Sequence, residues 1–90
     1  MLKVRFSSKF KKDFKMIVKR GYDVSLFEKV LYMLRAQETL PEEYYDHALK
    51  GNYTGHRECH ITPDWLLIYK IEQDILTLTL TRTGTHSDLF

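Results

Sequence analysis

The stretch Trp65-Leu66-Leu67-Ile68-Tyr69-Lys70-Ile71 restricts the fold more than any other part of the chain. Nearly every residue in it is apolar, and turn formers bound it on both sides: Thr62-Pro63-Asp64 before, Glu72-Gln73-Asp74 after. A run of this length and composition reads as a strand covered on both faces, hence a central strand with a neighbour on each side. Connections this short cannot cross over a sheet, so its sequence neighbours are antiparallel neighbours in space. Upstream, His56 to Ile61 alternates, with His56, Glu58 and His60 pointing one way and Arg57, Cys59 and Ile61 the other. Downstream, Ile75 to Arg82 alternates Leu with Thr. Strict alternation puts Arg82 on the Leu76/Leu78/Leu80 face, unless the strand bulges or its end emerges from the core. His47 to Lys50 offers a further short strand, Gly51 to Gly55 a turn, and Thr83 to Phe90 a polar tail with an aromatic end.

The N-terminal half carries a different period. Leu2 to Phe6 alternates apolar and basic residues as a short strand does. Ser7 or Ser8 can cap a helix whose apolar positions are Phe10, Phe14, Ile17 and Val18, with lysines on the other faces and Gly21 as its stop. A second helix starts near Asp23 to Ser25, where Ser25 and Glu28 have capping-box spacing, and carries the stripe Phe27, Val30, Leu31 and Leu34. Pro41 lies beyond its end. The short link between the helices predicts an antiparallel helix hairpin. The expected class is α+β, in the order β-α-α-β-β-β(-β), as a single domain over residues 1–90. A curved, mainly antiparallel sheet would carry the helix hairpin on one face.

Composition narrows the class of function. One cysteine excludes an internal disulfide and a cysteine-rich zinc site. No apolar run approaches the roughly 18–20 residues of a membrane span, and charges interrupt any signal-like stretch at the N-terminus, so a cytoplasmic protein is expected. The net charge of +2 is unevenly spread: residues 1–20 hold eight Lys/Arg and one Asp, and the rest of the chain sums to −5. A basic surface for a polyanion or an acidic protein is one reading of that split, and a solvated lysine-rich helix face is the other.

The topology then brings polar residues together. Take the end of the sheet at Thr62-Pro63-Asp64 as its top. His60 ends one strand there, Trp65 begins the next, the Leu/Thr strand delivers Arg82 and then His86, and His47 starts at the top of its own strand. Three of the four histidines therefore gather with Asp64, Arg82 and Trp65, and His56 falls at the opposite end. Histidines exchange protons near neutrality, and a guanidinium matches phosphate oxygens. RNA brings its own nucleophile, the 2′-hydroxyl. A metal-free ribonuclease then needs a base, an acid and a cation, with each acid–base role worth roughly 10²–10⁴ in rate. Individually these residues have plain readings: a solvated histidine, a turn aspartate, a core tryptophan. No metal or other cofactor is expected, because alternation separates Cys59 from His56 and His60, and His47, His60 and Asp64 contain no tight ligand pair.

The blocks Asp46-His47-Ala48-Leu49-Lys50-Gly51, Arg57-Glu58-Cys59-His60-Ile61-Thr62-Pro63-Asp64-Trp65-Leu66-Leu67-Ile68-Tyr69 and Arg82-Thr83-Gly84-Thr85-His86, ending in Leu89-Phe90, resemble the YafQ-like branch of the RelE/ParE toxin superfamily. Ala48 departs from the proline usual in that branch. The resemblance implies the toxin of a type II toxin–antitoxin pair, an endoribonuclease that cuts mRNA in the ribosomal A site. His47, His60, Asp64, Arg82 and His86 would be catalytic, with Phe90 and Trp65 serving the substrate. His86 would be the general acid and Arg82 the phosphate clamp. The base stays open among His47, His60 and Asp64, and Asp64 could instead orient a histidine. Lys9, Lys11, Lys12 and Lys15 of the basic helix would grip ribosomal RNA, the 16S rRNA of the 30S subunit, or neighbouring phosphates. The implied partners are a cognate antitoxin, mRNA and the ribosome, with operator DNA reached only through the antitoxin. Two other classes fit the superfamily: a gyrase-poisoning ParE-like toxin, and a non-catalytic co-repressor acting with an antitoxin.

Overall fold

The computed structural model describes Met1–Phe90. Its elements are β1 (Lys3–Phe6), α1 (Ser8–Lys19), α2 (Val24–Arg35), β2 (His47–Ala48), β3 (Arg57–Thr62), β4 (Trp65–Glu72), β5 (Thr77–Gly84) and α3 (His86–Leu89). The five strands form one sheet in the order β1-β5-β4-β3-β2. The apolar run is indeed the central strand. On one face Trp65, Leu67 and Tyr69 join Phe10 and Ile17 of α1, Phe27, Val30 and Leu34 of α2, and Leu78 and Leu80 of β5 in the main core. On the other face Leu66 and Ile68 pack with Leu89 of α3, flanked by Leu49 and Tyr53. Each fully buried aliphatic side chain there stabilises the fold by about 1.5–3 kcal/mol.

The helix ends show how local chemistry sets the boundaries. Ser7 caps α1 by accepting from the Phe10 N–H at 2.9 Å, and its hydroxyl donates to the Thr81 carbonyl at 2.7 Å, tying the helix start to β5. Gly21, at φ +81°, provides the left-handed stop. The cap of α2 is Asp23, not the expected Ser25 and Glu28 pair. The Asp23 carboxylate accepts from both the Ser25 N–H (3.0 Å) and the Ser25 hydroxyl (2.6 Å), so the hydroxyl is consumed as a donor. Phe14 and Phe27 meet at 4.9 Å between ring centroids and join the two helices.

The last strand departs from its expected form in three ways. It begins at Thr77, because Leu76 takes a left-handed conformation that closes a single 3₁₀ turn over Gln73–Ile75. It carries a β-bulge: Tyr69 faces Leu80 but Ile68 faces Arg82, leaving Thr81 unopposed. Its outer edge pairs in parallel with β1, Lys3 against Thr77 through Phe6 against Leu80, so the sheet is mixed. The expected polar tail is a short helix, α3, because Thr85 and Asp88 form a capping box that satisfies its first turn.

Candidate active site

The bulge decides where Arg82 points. One unopposed residue at Thr81 inverts the side-chain alternation beyond it, so Arg82 leaves the Leu78/Leu80 face and joins the opposite one. Cross-strand pairing then sets His47, Glu58, Ile68 and Arg82 in one row over four strands, with His60, Leu66 and Gly84 in the next row up. At about 4.8 Å per strand, the backbones of β2 and β5 lie about 14 Å apart and those of β3 and β5 about 10 Å, and the side chains project from that row. Buried Ile68 and Leu66 form the floor between them.

The histidine end is organised by a carboxylate. Glu58 is only 6% exposed, and its Oε1 lies 3.5 Å from His47 Nε2 and 3.8 Å from His60 Nε2. His47 Nδ1 sits 2.7 Å from the Tyr45 carbonyl, which can only accept, so Nδ1 donates and Nε2 is left to exchange a proton. Tyr45 supplies that carbonyl from a left-handed backbone (φ +47°) and sets its ring edge-on to His60 at 5.5 Å. Asp46, between them, accepts from Arg57 and from the Tyr69 hydroxyl, which pins the start of β2 to β3 and β4. The Asp46 hydrogen bond raises the Arg57 guanidinium above its ordinary value. Burial, then the Asp46 hydrogen bond, pushes the Tyr69 hydroxyl well up, so Tyr69 stays a donor.

The arginine end is organised by Asp13 of α1. Its carboxylate accepts from Arg82 Nε at 2.7 Å and Arg82 Nη2 at 3.1 Å, and also from the Thr83 N–H at 3.1 Å. The Asp13 hydrogen bonds hold the Arg82 guanidinium above its ordinary value. One edge of the fork is thus fixed, and the Nη1 side remains for an anion.

His86 opens α3 and is exposed. Its ring lies 5.2 Å from Phe90, itself 60% exposed, and Phe90 meets Tyr53 edge-on at 6.3 Å. His56, expected at the opposite end as a bystander, has its ring edge-on to Tyr53 at 5.9 Å. Lys9, Lys50, Asn52, Tyr53, Leu89 and Phe90 line an open cleft of about 610 Å³.

The other expected residues are placed differently. Trp65 cannot touch a substrate: it is fully buried on the helix-facing side, its Nε1 donating to Thr83 Oγ1 at 2.8 Å and its ring edge-on to Tyr22. That expectation is corrected because the first residue of a central strand can point into the core as well as out of it. Asp64 is exposed on the β3–β4 turn, and its N–H contacts Thr62 Oγ1 at 3.4 Å; it orients no histidine. The four lysines line three different grooves. Lys9 lines the cleft with Phe90, Lys12 lies near Arg20 and Asp88, and Lys11 and Lys15 rim an apolar groove of about 450 Å³ walled by Phe6, Phe10, Phe14 and Val18. Glu58, Asp13, Tyr45 and Tyr53 escaped the sequence reading. Asp13 could have been noticed as the one acid in a lysine-rich helix, and Glu58 as a carboxylate on the His60 side of its strand. Cys59 is fully buried, which pushes its thiol far up and leaves it a packing residue.

Residues 2–90 match the family model described as the bacterial toxin of a type II toxin–antitoxin system, YafQ. The mRNA interferase toxin YafQ of Escherichia coli strain K12 is 40% identical over 89 residues, covering 97% of this chain and 94% of that protein. The crystal structure of a metal-bound toxin from Helicobacter pylori is similar with a TM-score of 0.94 at 47% identity, both chains covered in full. The E. coli DinJ–YafQ complex gives a TM-score of 0.89 at 36% identity, over 100% of this chain and 99% of that one. In the present chain no group of three or more His, Cys, Asp or Glu side chains is arranged to hold a metal ion.

Proposed function

The chain belongs to the YafQ family of bacterial type II toxin–antitoxin toxins and is an mRNA interferase; we propose that it cuts mRNA by 2′-hydroxyl attack across the sheet edge built from His47, Glu58, His60, Arg82 and His86. The observation that carries this reading is the bulge that turns Arg82 onto the histidine face. Arg82 binds the scissile phosphate through its free edge and stabilises the charge that builds on the phosphorane. The His47–Glu58–His60 group takes the 2′-hydroxyl proton. It is favoured over exposed Asp64 because two imidazole nitrogens share one buried carboxylate oxygen. His86 gives a proton to the departing 5′-oxygen, and Phe90 and Tyr53 offer ring faces to an unpaired base. The P–O5′ bond breaks as the P–O2′ bond forms, which leaves a 2′,3′-cyclic phosphate and a 5′-hydroxyl.

The substrate is mRNA held in the ribosomal A site. Lys9 and Lys50 lie at the cleft to meet RNA phosphates, while Lys11, Lys12 and Lys15 extend the basic surface of α1 toward 16S rRNA. A cognate antitoxin neutralises the toxin, as the DinJ–YafQ complex of the E. coli relative suggests, and operator DNA is reached through that partner. No helix is long and apolar enough to cross a membrane, and a ribosomal substrate places the activity in the cytoplasm. The test is to express the chain with and without the gene beside it and to map the 5′ ends of cellular mRNA. Growth arrest, in-frame cuts and rescue by the neighbour are expected. A folded His86→Ala variant should lose the cuts; if it still produced them, the acid assignment would be wrong.

A further inference from the structure

Two ion pairs join α1 to the segment that carries Arg82 and His86. Asp13 of α1 and Arg20, the residue that caps the C-terminus of that helix, lie seven residues apart, close to two helical turns, and so share one face. Asp13 holds Arg82 at two nitrogens and also accepts from the Thr83 N–H. Arg20 donates to Asp88 through Nη1 at 2.6 Å and Nη2 at 3.1 Å. Asp88 is the third residue of α3 and completes its capping box, its Oδ2 accepting from the N–H of the N-cap residue Thr85 at 2.9 Å. Lys12, Asp13, Met16, Arg20, Thr83 and Asp88 line one shallow groove, so both pairs belong to a single contact surface. Gly84 sits between the two anchors, where an added Cβ would come within 2.9 Å of Asp88.

We infer that Asp13 and Arg20 are positioning residues that fix the separation of Arg82 and His86 by holding both ends of the segment from Arg82 to Asp88 against α1. The inference rests on the assignment of Arg82 and His86 above. The geometry needs such a device. Arg82 lies beyond the bulge, two residues before the end of β5, and His86 stands on a helix of only four residues. A helix that short gains little from its own hydrogen bonds, and its seat comes from the cap, Leu89 and the Arg20 bridge. The sign pattern is crossed: α1 gives an acid to the catalytic arginine and a base to the cap of the catalytic helix. A one-residue slip of the segment along α1 would therefore break both pairs.

The experiment is single-turnover cleavage of mRNA on programmed ribosomes, read as the rate at saturating toxin and the toxin concentration at half-maximal rate. Asp13→Asn and Arg20→Gln should each lower the saturating rate by about 10-fold, as expected when reacting groups are misplaced, with the half-maximal concentration within about 2-fold. Arg20→Lys should recover part of the loss. In Arg20→Gln, amide NMR resonances of residues 85–90 should shift while those of β3 and β4 stay. Wild-type rates in both variants, with Arg82→Ala and His86→Ala inactive, would overturn the positioning role alone. Full activity of Arg82→Ala and His86→Ala would instead remove the site assignment, and the positioning role with it. Arg20 is a surface residue, so its variant reports even if Asp13→Asn fails to fold.

Discussion

At the scale of single residues, the site depends on a carboxylate that the sequence presents as an ordinary member of an alternating strand. Glu58→Gln keeps the shape but loses the charge shared by His47 and His60, and is expected to slow cleavage about 10²-fold. Rate measurements on folded protein, checked against the wild-type circular dichroism spectrum, decide it. Trp65 predicts the reverse. Trp65→Phe removes the hydrogen bond to Thr83, whose hydroxyl still donates to the Leu66 carbonyl, and should cost about 0.5–1.5 kcal/mol in urea unfolding. Activity per folded molecule should not change, because the indole never meets the substrate. Gly84 is constrained by space: a methyl group there meets the Asp88 side chain at 2.9 Å. Gly84→Ala should displace α3, destabilise the protein by about 1–3 kcal/mol and lower cleavage, measured by unfolding and by rate.

At the scale of elements, the strands of the C-terminal half were legible because period two, a doubly apolar run and turn residues all agree there. The helices were legible for the same kind of reason, with periodic apolar positions and capping residues. Three features were not. The parallel pairing of β1 with β5 leaves no local trace, since it joins residues more than 70 positions apart. The bulge at Thr81 involves neither Gly nor Pro, so alternation alone left open which face Arg82 takes. α3 is too short for a helical period to show, and only its Thr85–Asp88 spacing marks it. The candidate histidines and Arg82 could be named from the sequence, but their organisers Glu58 and Asp13 required the fold. The Ser7 cap offers a test at this scale. Ser7→Ala loses the bond to the Phe10 N–H and the tie to Thr81, and should cost about 1–2 kcal/mol, seen as a lowered denaturation midpoint.

At the scale of the whole molecule, charge does two separate jobs. The lysines of α1 face solvent, while Asp13 and the C-cap residue Arg20 pair with the segment bearing Arg82 and His86. The Arg20 hydrogen bond, helped by the Thr85 backbone, holds the Asp88 carboxyl well below the usual carboxylate range. A depressed folded-state value means that this contribution is complete above about pH 4, the ordinary carboxylate value, and is lost as pH falls toward the folded value. Acid unfolding of Asp88→Asn should accordingly be shallower below about pH 4 than that of wild type. One further consequence follows from the parallel edge, and it concerns synthesis. Strand β1 is made before the other four strands, yet its only partner, β5, is made after them. The loop to be closed spans more than 70 residues, so β1 and α1 wait without their partner strand while β2 to β4 assemble. Asp13 and Arg82 cannot meet before that closure. The contacts of β5 with β1 and α1 are therefore the last of the sheet to form.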